Sequence, residues 1–313
     1  MPLAAVLQSL DLLDAATVTG REVADAIRAS GVKEVEVKRF AGKAGGTDFV
    51  RCVVPGTRGR RAGGDAPTLG IVGRLGGIGA RPEKIGLVSD GDGAVTAIAC
   101  ALKLGRMIAK GDRLRGDVLI STHVCPDAPT MPHPVVTMMN SPVDMATLNA
   151  EEVRPEMEAI LTVDTTRGNR IVNHRGIAIS PTVMQGWILR VAEDLLTIQQ
   201  HVTGRMPVVL PITMQDITPY GNELFHVNSV LQPCVATDAP VVGVALTAEV
   251  AVPGSATGAS HASDIEQAVR FCLEVAKAFG QGTCRFYDAE EWMKIQARYG
   301  SMKMLQTMGK GAR

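Results

Sequence analysis

The residues best suited to chemistry in this chain are polar side chains that follow apolar strand candidates. They are Arg74 after LGIVG, Asp90 and Asp92 after IGLVS, His123, Cys125 and Asp127 after DVLIST, Asp164 after AILTV, and His261 in the loop GSATGASHAS. Ligands of open α/β sheets bind at the carboxyl ends of the strands, so we expect these side chains to meet in one crevice. Carboxylate and imidazole donors suit zinc or manganese, and the pattern therefore predicts a divalent-metal site.

The two carboxylates of SDGDG also have a structural interpretation. Either Asp90 or Asp92 could simply cap the helix that follows. The run also resembles the start of a calcium loop, but Ala94 and Ala101 stand where that loop needs further oxygen ligands. The sequence thus excludes calcium binding of that type and leaves capping as the alternative to a metal site.

Arg74 and Cys125 have two interpretations each. The guanidinium of Arg74 could hold a substrate carboxylate in a bidentate pair, or it could form a salt bridge with Asp90 or Asp92. The thiol of Cys125, close to His123, could be a nucleophile, and a structural role is the alternative.

A polar, aromatic-bearing loop lies between two strand candidates at residues 218–229, with the sequence TPYGNELFHVNS. Its His226 and Asn228, with Asp216 just before it, are candidates for contacts to a substrate. The predicted substrate-binding residues are therefore Arg74, Asp92, Cys125, His226 and Asn228.

Alternating strands and helices must position these residues. The hydrophobic patterns predict helices at 3–15, 20–30, 92–110, 183–200, 262–279 and 288–308, and strands at 33–39, 47–54, 69–73, 85–88, 117–122, 159–164, 207–212 and 240–248, with a strand pair at 169–180. This order predicts a three-layer α/β/α fold with a mostly parallel mixed sheet. No linker marks a boundary, so we expect a single domain over 1–313, with an N-terminal helical pair (3–30) and a C-terminal amphipathic helix (288–308).

The composition excludes several classes of partner. The 32 basic and 32 acidic side chains balance, so nothing indicates binding to nucleic acid or to an anionic membrane. Six cysteines without CxxC spacing, an N-terminus unlike a signal peptide and no long apolar run predict a reduced, cytoplasmic protein. The apolar segment 132–145 and the Met-rich tail lead us to expect a homo-oligomer.

The run LGIVGRLGGIGARPEKIGLVSDGDGAVTAIACALKL resembles an uncharacterised bacterial family, domain of unknown function 1177, over essentially the whole chain. More distantly, residues 85–280 resemble the co-catalytic zinc aminopeptidases and their deacylase relatives. That resemblance implies a zinc-peptidase-like (phosphorylase/hydrolase-like) core. It also implies three metal ligands. The Asp that precedes an apolar helix in those enzymes corresponds to Asp90, and the strand in EAILTVDTT supplies Asp164. The loop before the last core helix supplies His261.

Two departures from the zinc enzymes bear on function. The chain has no histidine before His123, and Arg74 stands where the resemblance places the first ligand. The catalytic Glu–Glu pair is replaced by the residues from Val124 to Asp127. Either Asp127 or His123 takes over the proton transfer, or the protein has given up two-metal hydrolysis.

These observations predict a metal-dependent hydrolase of an amide bond in a small peptide or amino-acid derivative. Asp90, Asp164 and His261 would bind zinc, with manganese or cobalt as alternatives, and Asp127 or His123 would handle the proton. The alternative is a non-catalytic or metal-free relative that binds a small anionic ligand through Arg74. Both hypotheses need a small-molecule or short-peptide ligand and neither needs a nucleic acid or a membrane.

Overall fold

The computed structural model describes residues 2–42, 44–81, 86–132, 137–251 and 260–310. Over these residues the elements are, in chain order, α1 (Leu3–Asp14), α2 (Gly20–Ser30), β1 (Glu34–Gly42), β2 (Gly45–Val54), β3 (Leu69–Gly73), α3 (Asp92–Ala109), β4 (Val118–Val124), β5 (Thr130–Met131), β6 (Met138–Met139), α4 (Met145–Glu152), β7 (Ala159–Thr166), β8 (Gly176–Ile179), β9 (Val183–Met184), β10 (Trp187–Ile188), α5 (Glu193–Thr203), β11 (Val241–Thr247), α6 (Ala262–Gln281) and α7 (Ala289–Tyr299).

A mixed sheet of nine strands organises the described residues. The strand order is β1-β2-β4-β3-β7-β11-β9-β10, and β8 also pairs with β11. The central strands β4, β3, β7 and β11 are parallel, whereas β2 is antiparallel to β4. β3, β4 and β11 are buried along their whole length, as expected of parallel strands covered on both faces. The sheet confirms the predicted α/β fold with parallel strands at its centre.

Helices cover the two faces of this sheet unequally. Buried residues of α1, α2, α3, α5 and α6 form one core cluster with the first face. On the second face the core is smaller and includes the 3-10 turn Gln215–Ile217 and residues that follow α4. None of the helices in the described part of the chain is long and apolar enough to cross a membrane.

Two glycines allow the start of α3 to pack directly against the ends of β3 and β7. A Cβ on Gly93 would lie 2.5 Å from two backbone carbonyl oxygens, and one on Gly73 would lie 2.4 Å from the oxygen of Gly93. A close-packed interior leaves no room for a larger residue at either position. This contact places the turn that carries Asp90 and Asp92 beside the ends of both strands.

Some predicted strands were wrong. Residues 86–88 form no strand and lead into a 3-10 turn (Ser89–Gly91), while Ile85 lies outside the described residues. The strand predicted at 207–212 is reduced to an isolated bridge between Val209 and Ile179. Only the second half of the pair predicted at 169–180 forms, as β8.

The helix predictions were wrong at three places. The helix predicted at 183–200 starts only at Glu193, because Gln185 (φ 51°) and Gly186 (φ 78°) form the turn between β9 and β10. The tail helix predicted to reach residue 308 ends at Tyr299, where Gly300 adopts φ 70°. The eight-residue helix α4 had no counterpart in the prediction.

Candidate functional site

Three carboxyl groups lie where β7 meets the turn before α3. Thr165 donates its hydroxyl hydrogen to the Ser89 carbonyl at 2.9 Å, which ties the end of β7 to this turn. Asp164 precedes that threonine, and Asp90 follows that serine. We call Asp90, Asp92 and Asp164 the acidic cluster. Asp164 lies near the carboxyl end of β7 as predicted, whereas Asp90 lies in the 3-10 turn Ser89–Gly91 and Asp92 begins α3, so neither of these two follows a strand.

Asp164 is 1% exposed, and its carboxylate is held from two sides. One oxygen accepts the Thr165 N–H at 2.8 Å, and the other accepts the Ser229 hydroxyl hydrogen at 2.6 Å. Burial raises the pKa of Asp164 to about 6, although the bond from Ser229 and the charge of Arg74 lower it. The carboxylate therefore has a fixed orientation and a raised proton affinity.

The carboxyl group of Asp90 is buried and lies among other negative charges. Burial raises its pKa well above the ordinary value, and repulsion from Asp164 and Asp92 raises it further. The charge of Arg167 opposes this shift. A buried carboxylate that other carboxylates repel favours either a bound proton or a bound cation.

Asp92 begins α3 and accepts a hydrogen bond from Ser260, just before α6. Burial raises the pKa of Asp92 to about 7, the bond from Ser260 lowers it, and Asp264 raises it again. Ser260 directly precedes His261, whose ring is exposed. The structure thus brings the side chain of Ser260, the residue before the predicted histidine ligand, to the acidic cluster, while residues 252–259 of the same predicted loop lie outside the described residues.

The capping interpretation of Asp90 and Asp92 has no support in the structure. The N-cap of α3 is Gly91, and among the described residues no side chain makes a capping hydrogen bond there. Within the described ranges, no three His, Cys, Asp or Glu side chains lie in an arrangement that could hold a metal ion. The three-ligand set of Asp90, Asp164 and His261 accordingly stays a prediction, and what the structure shows is that the carboxylates of Asp90 and Asp164 are close enough to repel each other.

A buried ion pair that sequence reasoning missed lies beside the cluster. The guanidinium of Arg74 donates to Glu152 at 2.6 Å and to Asn149 at 3.2 Å, and the pair is 1% and 0% exposed. Burial alone would raise the pKa of Glu152, but Arg74 and a hydrogen bond from His123 outweigh it and lower the pKa. Arg74 therefore pairs with neither Asp90 nor Asp92, the partners considered from the sequence.

The two predicted proton-transfer residues differ in their surroundings. The ring of His123 is buried, its Nε2 accepts the Gly76 N–H at 3.0 Å, and its Nδ1 lies 2.7 Å from Glu152. Nδ1 must carry the proton in this arrangement, which leaves His123 no free nitrogen. Asp127 is exposed, after the end of β4. Burial, and then Asp127, raise the pKa of the Cys125 thiol to about 11, which does not suit a nucleophile at neutral pH.

The loop 218–229 contributes two residues that were not singled out from the sequence. Ser229 bonds to Asp164, and the phenol of Tyr220 lies close to both Ser229 and Asp164. Burial and the charge of Asp164 raise the pKa of Tyr220, so the phenol stays protonated and can donate a hydrogen bond. Membership of an aromatic-bearing polar loop was the available signal for both.

The residues predicted from that loop are engaged with the protein itself. The ring of His226 places Nε2 3.0 Å from the carbonyl oxygen of Thr218 and Nδ1 3.1 Å from the carbonyl oxygen of Leu224. Asn228 donates its backbone N–H to the carboxylate of Asp216 at 2.9 Å. The buried side-chain Oδ1 of Asn228 has no partner among the described atoms. Asp216 thus holds the loop, and a substrate contact for His226 or Asn228 stays a prediction.

The metal-free protein is expected to lose stability as the pH rises from about 5 to about 8. The pKa values of Asp164 (about 6) and Asp92 (about 7) in the folded state exceed the ordinary 3.8, so folding favours the protonated forms. Their contribution is complete below the unfolded pKa and is lost as pH rises to the folded values, so the part lost above pH 5 is about 1 kcal/mol for Asp164 and about 3 kcal/mol for Asp92. Urea unfolding in EDTA at both pH values measures this loss. Stability that rises with pH would contradict it, and Asp164→Asn should flatten the profile.

Comparison with known proteins places this geometry on a known fold. A family model described as "Protein of unknown function (DUF1177)" matches residues 38–309. The chain is similar to the solved structure "Crystal structure of Acidobacteriales bacterium glutaminyl cyclase", with a TM-score of 0.51 and 13% identity over 90% of this chain and 94% of that chain. This likeness concerns the fold, and it agrees with the predicted zinc-peptidase-like core. A comparison with curated proteins gives no match.

Proposed function

We propose a function for this chain, which belongs to the DUF1177 family and shares its fold with a glutaminyl cyclase. It is a metal-dependent hydrolase that cleaves an amide bond in a small peptide or an amino-acid derivative. The single observation that carries this proposal is the pair of buried carboxylates, Asp90 and Asp164, which repel each other at the carboxyl edge of the sheet.

The chemistry of this pair fits one divalent cation. Carboxylate oxygens are ligands for zinc and manganese, and a cation between them would replace repulsion with attraction. The nearby guanidinium of Arg74 cannot serve in that role, because it is buried and already paired with Glu152. We propose that Asp90 and Asp164 hold the metal, with His261 as the third ligand.

Arg74 also argues for one metal rather than two. It stands where the resemblance to the zinc enzymes places the first ligand, and a fixed positive charge there opposes a second cation. The ion pair of Arg74 with Glu152 fills this side of the cluster with protein groups. The two-metal arrangement of those enzymes therefore does not carry over to this chain.

The side chains around the cluster have distinct proposed roles. A bound metal supplies Lewis acidity to the substrate carbonyl and acidity to a water. Ser229 orients Asp164 through its hydrogen bond. The phenol of Tyr220 can donate to the oxygen on which negative charge develops. Asp92, with a pKa of about 7, can take up and return the proton, since transfer is most efficient near the working pH.

The rival hypothesis, an anionic ligand bound through Arg74, has less support. Arg74 is 1% exposed, and the neighbouring charges of the acidic cluster are negative. An anion at this place would displace Glu152 and face Asp90 and Asp164.

Metal analysis of protein purified without chelator tests the proposal. We expect about one equivalent of zinc, manganese or cobalt, and hydrolysis of aminoacyl-nitroanilides or N-acyl amino acids that EDTA removes and added metal restores. Two equivalents would contradict the one-metal arrangement. Less than about a tenth of an equivalent, with no activity gained on adding these metals, would overturn the function.

A further inference from the structure

A cavity lies along the C-terminal part of α3, whereas the acidic cluster lies at the start of this helix. It has a volume of about 830 Å³ and lies between the C-terminal part of α3, the segment 112–115 and the C-terminal half of α6. Lys103 is the lining residue of α3 nearest to Asp92 in sequence, and their 11-residue separation corresponds to about 17 Å along the helix. A ligand in this cavity would therefore not touch the acidic cluster.

The lining of the cavity combines an apolar floor with an excess of positive charge. Leu104, Met107 and Leu114 supply apolar surface. Five cationic side chains line it, against the two acids Asp112 and Glu274: Lys103, Arg113, Arg115, Arg270 and Lys277. In a chain whose total charge is zero, this surplus is local to the cavity.

Three of the five cations that line the cavity lie near acidic side chains, which leaves two available for a ligand. Arg270 pairs with Glu266 at 2.7 Å, Lys277 pairs with Glu274, and Arg115 lies 3.9 Å from Asp65. Lys103 and Arg113 make no ion pair with any residue that the structure describes. They come from different segments, one within α3 and one just after it.

We propose that this cavity binds a small organic phosphate. Two unpaired cations suit the double charge of a phosphate monoester, and arginine can bind phosphate oxygens in a bidentate manner. The apolar floor suits the organic part of such a molecule, and the volume is typical of small-molecule sites. The site is independent of the proposed hydrolase function.

Calorimetry with AMP as the probe and adenosine as its uncharged counterpart tests this site. We expect AMP to bind with a Kd below about 1 mM and adenosine at least about tenfold more weakly. The double variant K103E/R113E should weaken AMP binding about a hundredfold, and K103Q/R113Q should have a smaller effect of the same sign. Asp164→Asn should leave AMP binding unchanged.

The variant K294E/R298E is the matched control, because it makes the same charge change on the exposed surface of α7. An equal loss of affinity in this control would show an effect of total charge and overturn the proposal. No binding of AMP by the unaltered protein up to about 10 mM, or full binding by K103E/R113E, would overturn it as well. The proposal is also wrong if K103E/R113E binds AMP like the unaltered protein and only melts at a lower temperature. In that case the two cations stabilise the C-terminal carbonyl groups of α3 and α6 and do not bind phosphate.

Discussion

Replacing Glu152 with alanine is expected to destabilise the fold by about 3–5 kcal/mol, because it leaves a buried guanidinium without its carboxylate. Glu152 is 0% exposed and bonds to both Arg74 and His123, so the substitution removes both contacts. Water cannot reach Arg74 easily, since its side chain is 1% exposed. Urea unfolding followed by circular dichroism measures the loss.

Two further variants identify its cause. The double variant R74M/E152M removes both charges together, and it should recover part of the stability, because a buried pair can be replaced by apolar groups at little cost, while the buried Nδ1–H of His123 still lacks its acceptor. Glu291→Ala breaks the exposed pair with Arg190 (2.9 Å) and should cost less than about 1 kcal/mol. If E152A were as stable as the unaltered protein, the interpretation of Arg74 and Glu152 as a stabilising pair would be wrong.

Replacing Asp164 with asparagine is expected to abolish metal binding and lower kcat/KM more than about a hundredfold. The loss of a residue that only orients a ligand typically costs 10–100-fold, so the loss of a ligand should cost more. The same change should raise the stability of the metal-free protein near pH 8, because it removes a buried charge that repels Asp90. Metal content, kinetics and unfolding on one preparation measure all three effects.

Asp127→Asn is the control for this variant, since Asp127 is exposed and lies after the end of another strand. It should leave the metal content unchanged. If it nevertheless lowers kcat, Asp127 handles the proton as the sequence suggested, and Asp92 does not act alone. A D164N protein that keeps its metal and its activity would remove Asp164 from the site.

The sheet and the acidic cluster could be predicted because they follow from local pattern. β3, β7 and β11 are continuous apolar runs, and Asp164 stands near the end of such a run. Parallel strands bring their carboxyl ends to one edge, so residues at these ends meet without further information. The same reasoning found Asp90, although the strand expected before it does not form.

The buried ion pair could not be predicted, because its partners lie 78 residues apart in sequence. Choosing Glu152 over Asp90 as the partner of Arg74 depends on distances in the folded chain. The short helix α4 was missed because its eight residues show no clear apolar stripe, and only Asp144, which caps it, signals its start. Ser229 illustrates the same limit, since its bond to Asp164 spans 65 residues.

The strand order also determines when the sheet can be completed during synthesis of the protein. β3 emerges from the ribosome early, yet its neighbours β4 and β7 are translated later, and β11 must follow before β7 is paired on both sides. α6, which packs against α3, is complete only at Gln281. A nascent chain shorter than this has an unfinished core with open strand edges, and such chains tend to aggregate. The core around the sheet is thus completed only after α6 has left the ribosome.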